Sequence, residues 1–329
     1  MGFARATTVI AAHLQRTPIP GAVLGQVLAD GSRRTWSCGQ RETGDDAPGM
    51  ETDTWFDLAS LTKVIFTTER ILAHAAAGRI DLDAPLISVI PDLHQYHAGS
   101  WQRQVTFRDC LGHRTAYPAV EPIYTYGSDP ATLRAFVLQR NWQPGPQVYS
   151  DINFILLGIA LERLEGRTIH QMELAPGLSF APPADQTAPT EACSWRGRVM
   201  RGEVHDENCY ALQGSGHAGL FGTIDGVLDF ASGLLDRHAA QDGHCALLLT
   251  PLRDTRGHGW ELAHEGWHGG SAASARTIGH TGFTGTGLWL DLDRGCGWSL
   301  LTNRVHPSRH VETEILDLRR AVGEAILED

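Results

Sequence analysis

Lysine is almost missing from this chain. Of 27 basic residues one is Lys, Lys63, and the other 26 are Arg. An Arg keeps its proton at any ordinary pH, whereas an amine can be driven neutral by burial and then accept one. The single amine stands three residues after Ser60, in the stretch DLASLTKVIFTT (57–68). Side chains at i and i+3 of a helix share a face, so Ser60 has a candidate base beside it.

Other scarcities exclude whole classes. Positive charge is in short supply: the net charge of −11 argues against a nucleic-acid partner and against docking to an anionic membrane surface. No apolar run reaches the length of about 18 residues that a membrane-spanning helix needs. The N-terminal MGFARATTVIAAHLQRTPIPG is amphipathic, and His13, Gln15 and Arg16 interrupt it, so no signal peptide is expected. Cys38, Cys110, Cys193, Cys209, Cys245 and Cys296 lack C-x-x-C spacing and read as reduced thiols of a cytoplasmic protein, not a zinc ribbon or redox dithiol. G-x-S-x-G, a phosphate-binding Gly-Lys loop, a dinucleotide fingerprint, internal repeats and low-complexity tracts are all missing.

What is present is the composition of an ordinary globular protein: 329 residues, 42% apolar and 20% charged, enough to bury a large core. Residues 3–15 read as a helix. GAVLGQVLAD (21–30) and SRRTWSCGQ (32–40) read as a hairpin turning at Asp30-Gly31. The helix carrying Ser60 and Lys63 is expected to run to about Ala77 and stop at Gly78, with Val64, Ile65, Ile71, Leu72 and Ala75 making it central and buried. From Arg79 to about Thr250 the pattern is mostly helical, clearest at 131–139, 151–166 and 223–239, with Pro/Gly-rich loops between. After Pro251 four strand-like segments follow, 257–263, 275–282, 285–293 and 297–305, then a helix at about Val311–Leu327. These elements give an α+β fold: an antiparallel sheet built from both termini (1–78 and 251–329), flanked by helices, with a large helical lobe (79–250) inserted and the active site between them.

Three short constellations occur in order: Ser60-Leu61-Thr62-Lys63, Tyr149-Ser150-Asp151 opening an apolar helix, and His280-Thr281-Gly282 on a strand-like segment. Together with GRIDLDAPL (78–86), APTE (188–191), GHAGLFGT (216–223) and LLTNR (300–304), they resemble the penicillin-recognising serine hydrolases, which include class C β-lactamases, D-Ala-D-Ala peptidases and related esterases. The resemblance runs from about residue 20 to the end. It implies the β-lactamase/transpeptidase-like fold and an acyl-enzyme on Ser60. It also implies an oxyanion hole from the backbone N–H groups of Ser60 and Phe283, with Gly282 letting substrate backbone approach.

The base has two readings: neutral Lys63 itself, or Tyr149 with charged Lys63 as its electrostatic partner. Asp151 replaces the commoner Asn of Y-x-N, and a carboxylate there favours charged Lys63, which points to Tyr149. Asp151 also stands where a helix N-cap belongs, so capping and substrate contact are both open. His280 replaces the Lys of many β-lactamases and carries at most a partial charge, so β-lactams are expected to be weak substrates. Arg304 offers an alternative carboxylate anchor, and His217 reads as structural. His264-Glu265-Gly266-Trp267-His268 fits the zinc-protease pattern H-E-x-x-H, but its glycines break the helix that pattern needs; His94 and His97 make a weaker pair. No metal or cofactor is expected.

The expected function is therefore hydrolysis of a small ester, amide or D-amino-acid peptide, an esterase being favoured, with a small-molecule acyl substrate and no nucleic-acid or membrane partner. The alternatives are a weak β-lactamase or D-peptidase, a transacylase, and a binding protein without turnover. Nothing in the residues specifies an oligomeric state.

Overall fold

Two segments that fail to alternate between apolar and polar residues, GAVLGQVL and CGWSLLT, lie side by side at the middle of a six-stranded antiparallel sheet. The computed structural model describes residues 1–328. Its strands are β1 (Gly21–Leu28), β2 (Arg33–Gly39), β3 (Glu261–Leu262), β4 (Thr277–Thr281), β5 (Gly287–Asp291) and β6 (Cys296–Thr302), in the order β2-β1-β6-β5-β4-β3. The sheet is thus closed by both ends of the sequence, Val23 of β1 standing opposite Leu301 of β6.

The lack of alternation has a packing cause: both faces of the sheet are covered, so both sets of side chains are apolar. On one face Leu24, Trp289, Trp298 and Leu300 pack with Ile10 of helix α1 (Gly2–Arg16) and with Leu318 and Val322 of the C-terminal helix, Ile315–Leu327. On the other, Val23, Val27, Leu288, Leu290 and Leu301 meet Val227, Leu228 and Ala231 of the helix Ile224–Ala239. That last helix falls inside 79–250 in sequence, yet by packing it belongs with β1 and β6.

The other long helices are α2 (Glu69–Ala76), α3 (Pro130–Gln139) and α4 (Asp151–Glu165), so the two sheet-covering helices become α5 (Ile224–Ala239) and α6 (Ile315–Leu327). Every residue of α4 from Ile152 to Leu161 is buried, which makes it the axis of the helical region. Short pairings of Phe56–Asp57 and Leu178–Ser179 with Phe221–Gly222 form a second, three-stranded sheet. It ties the chain just before Ser60 to the GHAGLFGT stretch.

Three expectations shift. The strand at 257–263 shrinks to two residues. The last helix starts at Ile315, not Val311, because Glu314 takes a left-handed conformation (φ 49°) that interrupts helical geometry. The helix after Ser60 opens as a π-helix from Lys63 to Thr68 before becoming α2. The β-branched Val64, Ile65, Thr67 and Thr68 crowd a regular α-turn, and Thr67 Oγ1 donates instead to Gly216 O at 2.6 Å. No helix among the described residues is long and apolar enough to cross a membrane.

Candidate active site

Ser60 sits immediately before the first helical turn, at the end of a strained loop. Ala59 holds φ at +48°, a conformation that costs an L-residue about 1–2 kcal/mol. The buried Asp57 carboxylate fixes it by accepting from Ala59 N at 2.8 Å and from His205 N at 2.6 Å. Burial raises the Asp57 pKa above its ordinary value.

Lys63 is 0% exposed, and its ammonium has three acceptors: Ser60 Oγ at 3.0 Å, His217 O at 3.0 Å and Asp151 Oδ1 at 2.8 Å. An ammonium has three protons, so its donor capacity is filled. Burial would lower the Lys63 pKa, but the Asp151 and Tyr149 charges outweigh it and hold the amine above its ordinary value. Lys63 is therefore charged, and of the two readings of the base the one using neutral Lys63 loses support.

Asp151 is not the helix cap. It is the first residue of α4; Ser150 is the N-cap residue, and the Ser150 N–H goes to His113 Nδ1 at 3.0 Å. His113 also packs on Tyr149, the rings tilted by 31° with centroids 4.4 Å apart. Burial, then the Arg256 and Lys63 charges, keep His113 well below the usual histidine range, so it is neutral and free to accept. Two cations lie close to the Tyr149 ring, Lys63 Nζ at 5.1 Å from its centroid and the Arg256 guanidinium at 5.2 Å.

Ser60, Tyr149, Asp151, His280, Thr281 and Phe283 all line one cavity of about 580 Å³. His280 is buried, donates from Nδ1 to Thr281 O at 3.0 Å, and is held well below the usual range by burial and by Arg256 and Lys63. A neutral ring results, without the cation that many β-lactamases place there. Arg304 lies outside this cavity, in the neighbouring depression, where it donates to Phe283 O at 3.0 Å and covers the Phe283 ring.

The turn after β4 is pinned to the nucleophile loop. Thr284 Oγ1 donates to Asp57 O at 2.7 Å and Thr286 Oγ1 to Leu58 O at 3.1 Å. Gly282 is required between them, since a Cβ there would meet Thr286 Oγ1 at 2.1 Å and Leu58 O at 2.5 Å. Among the described residues neither Ser60 N–H nor Phe283 N–H has an acceptor. Both donors of the expected oxyanion hole are thus uncommitted.

Several residues at the cavity were not singled out by the sequence. Asp206 pairs with His217 Nε2 at 2.9 Å, and His217 Nδ1 meets Ser215 Oγ at 2.8 Å. His217 thus has a structural ring and a carbonyl that holds Lys63. Burial opposes ionisation of Asp206, yet the His217 pair and the Cys209 N–H hold its carboxyl well below the usual range. Arg256 is held by Glu261 at 2.9 Å. The two imidazoles of the H-E-x-x-H segment converge on that same carboxylate, His264 at 2.8 Å and His268 at 3.0 Å, in a turn where Gly266 has φ +77°. Asp206 reads locally only as the N-cap of the short helix Glu207–Ala211, accepting from Cys209 N at 2.7 Å, and Arg256 only as a cation near Glu261, so neither spacing tells that the residue faces the cavity. Asp151, Asp206 and His217 offer donor atoms within 4.8 Å of one another. The set does not fit a resident cation: the Lys63 ammonium already occupies Asp151, and both His217 nitrogens are engaged.

Comparison with known proteins gives a consistent result. The family model Beta-lactamase matches residues 6–321. An N-acetylmuramyl-L-alanine amidase of Bacillus subtilis (strain 168) is 28% identical, the alignment covering 87% of this chain and 78% of that one. A putative D-alanyl-D-alanine carboxypeptidase of Escherichia coli (strain K12) is 26% identical over 83% of this chain and 75% of its own. Among solved structures, EstCE1, a hydrolase with promiscuous acyltransferase activity, superimposes with a TM-score of 0.76 at 17% identity, covering 99% of each chain.

Proposed function

The chain belongs to the beta-lactamase family, and from that premise we propose that it is a serine hydrolase working through an acyl-enzyme on Ser60. The observation that carries this reading is the buried, fully hydrogen-bonded Lys63 ammonium donating to Ser60 Oγ at 3.0 Å. Because Lys63 keeps its protons, the Ser60 proton goes to Tyr149, acting as its phenolate beside the cations Lys63 and Arg256.

Ser60 Oγ bonds to the substrate carbonyl carbon while its proton passes to the Tyr149 oxygen. The carbonyl oxygen becomes an oxyanion facing the N–H groups of Ser60 and Phe283. The C–O or C–N bond breaks, and the leaving group takes the proton from Tyr149. Water enters, gives its proton to Tyr149, and releases the acid from Ser60, which regains that proton.

The substrate is a small ester, amide or D-amino-acid peptide, with ester hydrolysis favoured. The neutral His280 supports weak turnover of β-lactams. The test is covalent: a fluorophosphonate should add its mass to the Ser60 peptide, and Ser60→Ala should lower p-nitrophenyl acetate kcat by at least about 10³-fold with an unchanged melting temperature. Parallel assays with a D-alanyl-D-alanine peptide and a chromogenic cephalosporin rank the substrate classes. No adduct on Ser60, or full activity in Ser60→Ala, sinks the proposal.

A further inference from the structure

Arg319, on α6, is a buried arginine with no carboxylate partner among the described residues. It is 4% exposed, and Nη2 donates to two backbone carbonyls, Gly282 O at 2.8 Å and Thr286 O at 2.7 Å. Its Nε has no partner, and the charge that acts on it is another cation, Arg304. Burial pushes its pKa down to about 9, which leaves it charged at neutral pH. An uncompensated buried charge is costly, and a structural clamp between two carbonyls does not require one.

The carbonyl that Arg319 holds belongs to the same peptide unit as the Phe283 N–H. A cation bonded to the oxygen of a peptide draws electron density from its nitrogen, so the N–H becomes a stronger donor. The unit is also fixed in place. Gly282 N donates to Thr286 O at 2.9 Å, Gly285 N to Gly282 O at 3.1 Å, and Thr284 and Thr286 anchor the turn to Asp57 O and Leu58 O beside Ser60. Arg304 takes the next carbonyl, Phe283 O.

We propose that Arg319 is a positioning residue for the oxyanion hole: it polarises and aims the Gly282–Phe283 peptide, and its charge finds its counter-ion in the oxyanion that forms on the far side of that peptide. This rests on Ser60 being acylated, as proposed above. The interaction strengthens only when the oxyanion appears, so it acts on kcat and not on ground-state binding.

The test compares wild type with R319Q, which keeps a neutral donor, R319K, which keeps a charge, and R319M, which keeps neither. Two readouts are taken: p-nitrophenyl acetate kinetics, and the absorption maximum of the acyl-enzyme made with N-cinnamoylimidazole, which moves to longer wavelength as its carbonyl is polarised. R319Q and R319M should lower kcat on the order of tenfold with KM unchanged, and shift the maximum to shorter wavelength. R319K should recover part of both. If R319M does not fold, R319Q and R319K carry the comparison. Wild-type wavelength and kcat in R319Q overturn the inference alone. Failure of either acyl donor to acylate wild-type Ser60 overturns the hydrolase reading, and this inference with it.

Discussion

At the scale of single residues the decisive fact is that Lys63 donates three hydrogen bonds and accepts none. Ser60-x-x-Lys63 was legible because a solitary lysine stands out, but the identity of its charge partner was not fixed by the motif. Asp151 settles it, and the N-cap position belongs to Ser150, whose hydroxyl donates to Pro118 O and makes no cap bond. Asp151→Asn should therefore do more than trim a helix end. It leaves a buried ammonium facing a neutral amide, a loss of about 3 kcal/mol. The Lys63 pKa, now raised, moves down. A raised amine pKa stabilises the fold below about pH 10, and that contribution is lost as pH climbs through the folded value. Thermal melts of Asp151→Asn at neutral pH should fall well below wild type, with the gap closing at high pH. An unchanged melting temperature at pH 7 would mean that the pair contributes nothing.

At the scale of elements, periodicity located the long helices and the hairpin, and it failed where backbone geometry is irregular. The π-turn at Lys63–Thr68 is invisible to a 3.6-residue pattern, since its residues are all buried whichever turn they form. Its neighbour α4 presses against the His217 loop so closely that a Cβ on Gly158 would lie 2.5 Å from Gly216 N. Gly216 accepts from Thr67, and His217 O accepts from Lys63. Gly158→Ala should push this loop outward, cost about 1–3 kcal/mol in denaturant unfolding, and lower activity although it touches no substrate. Retained activity beside lost stability would show that the Lys63 site tolerates the shift.

At the scale of the whole molecule, buried ionisable groups set the acid limit. Burial and nearby arginines hold His113 and His280 below the usual range, and burial with Arg108 pushes His258 down to about 4. The unfolded chain protonates these rings near pH 6.5 and the folded chain resists, so stability begins to fall below about pH 6.5. Carboxylates add a second, steeper loss. Burial opposes it, but His205 and Arg309 hold Glu191 down at about 2; Asp206 and Glu261 are likewise depressed by their histidine and arginine partners. Their contribution is present above about pH 4.5 and disappears as pH drops toward the folded values. A melting-temperature profile from pH 8 to 3 should decline in these two stages; a flat profile down to pH 4 would contradict the histidine part.

The sequence by itself determined that a hydroxyl and a lone amine share one turn, and that strands at both ends bracket a helical middle. Those are local or ordered facts, carried by spacing and by apolar runs. The carboxylate at Asp151 already pointed to a charged Lys63, and an imidazole at His280 to a weak charge; tertiary structure alone decided how Lys63 is enclosed, which cations lie near Tyr149 and the place of Arg319 behind Phe283. Each depends on groups brought together from distant parts of the chain, and burial and Coulomb interaction act through space, with no trace in residue spacing.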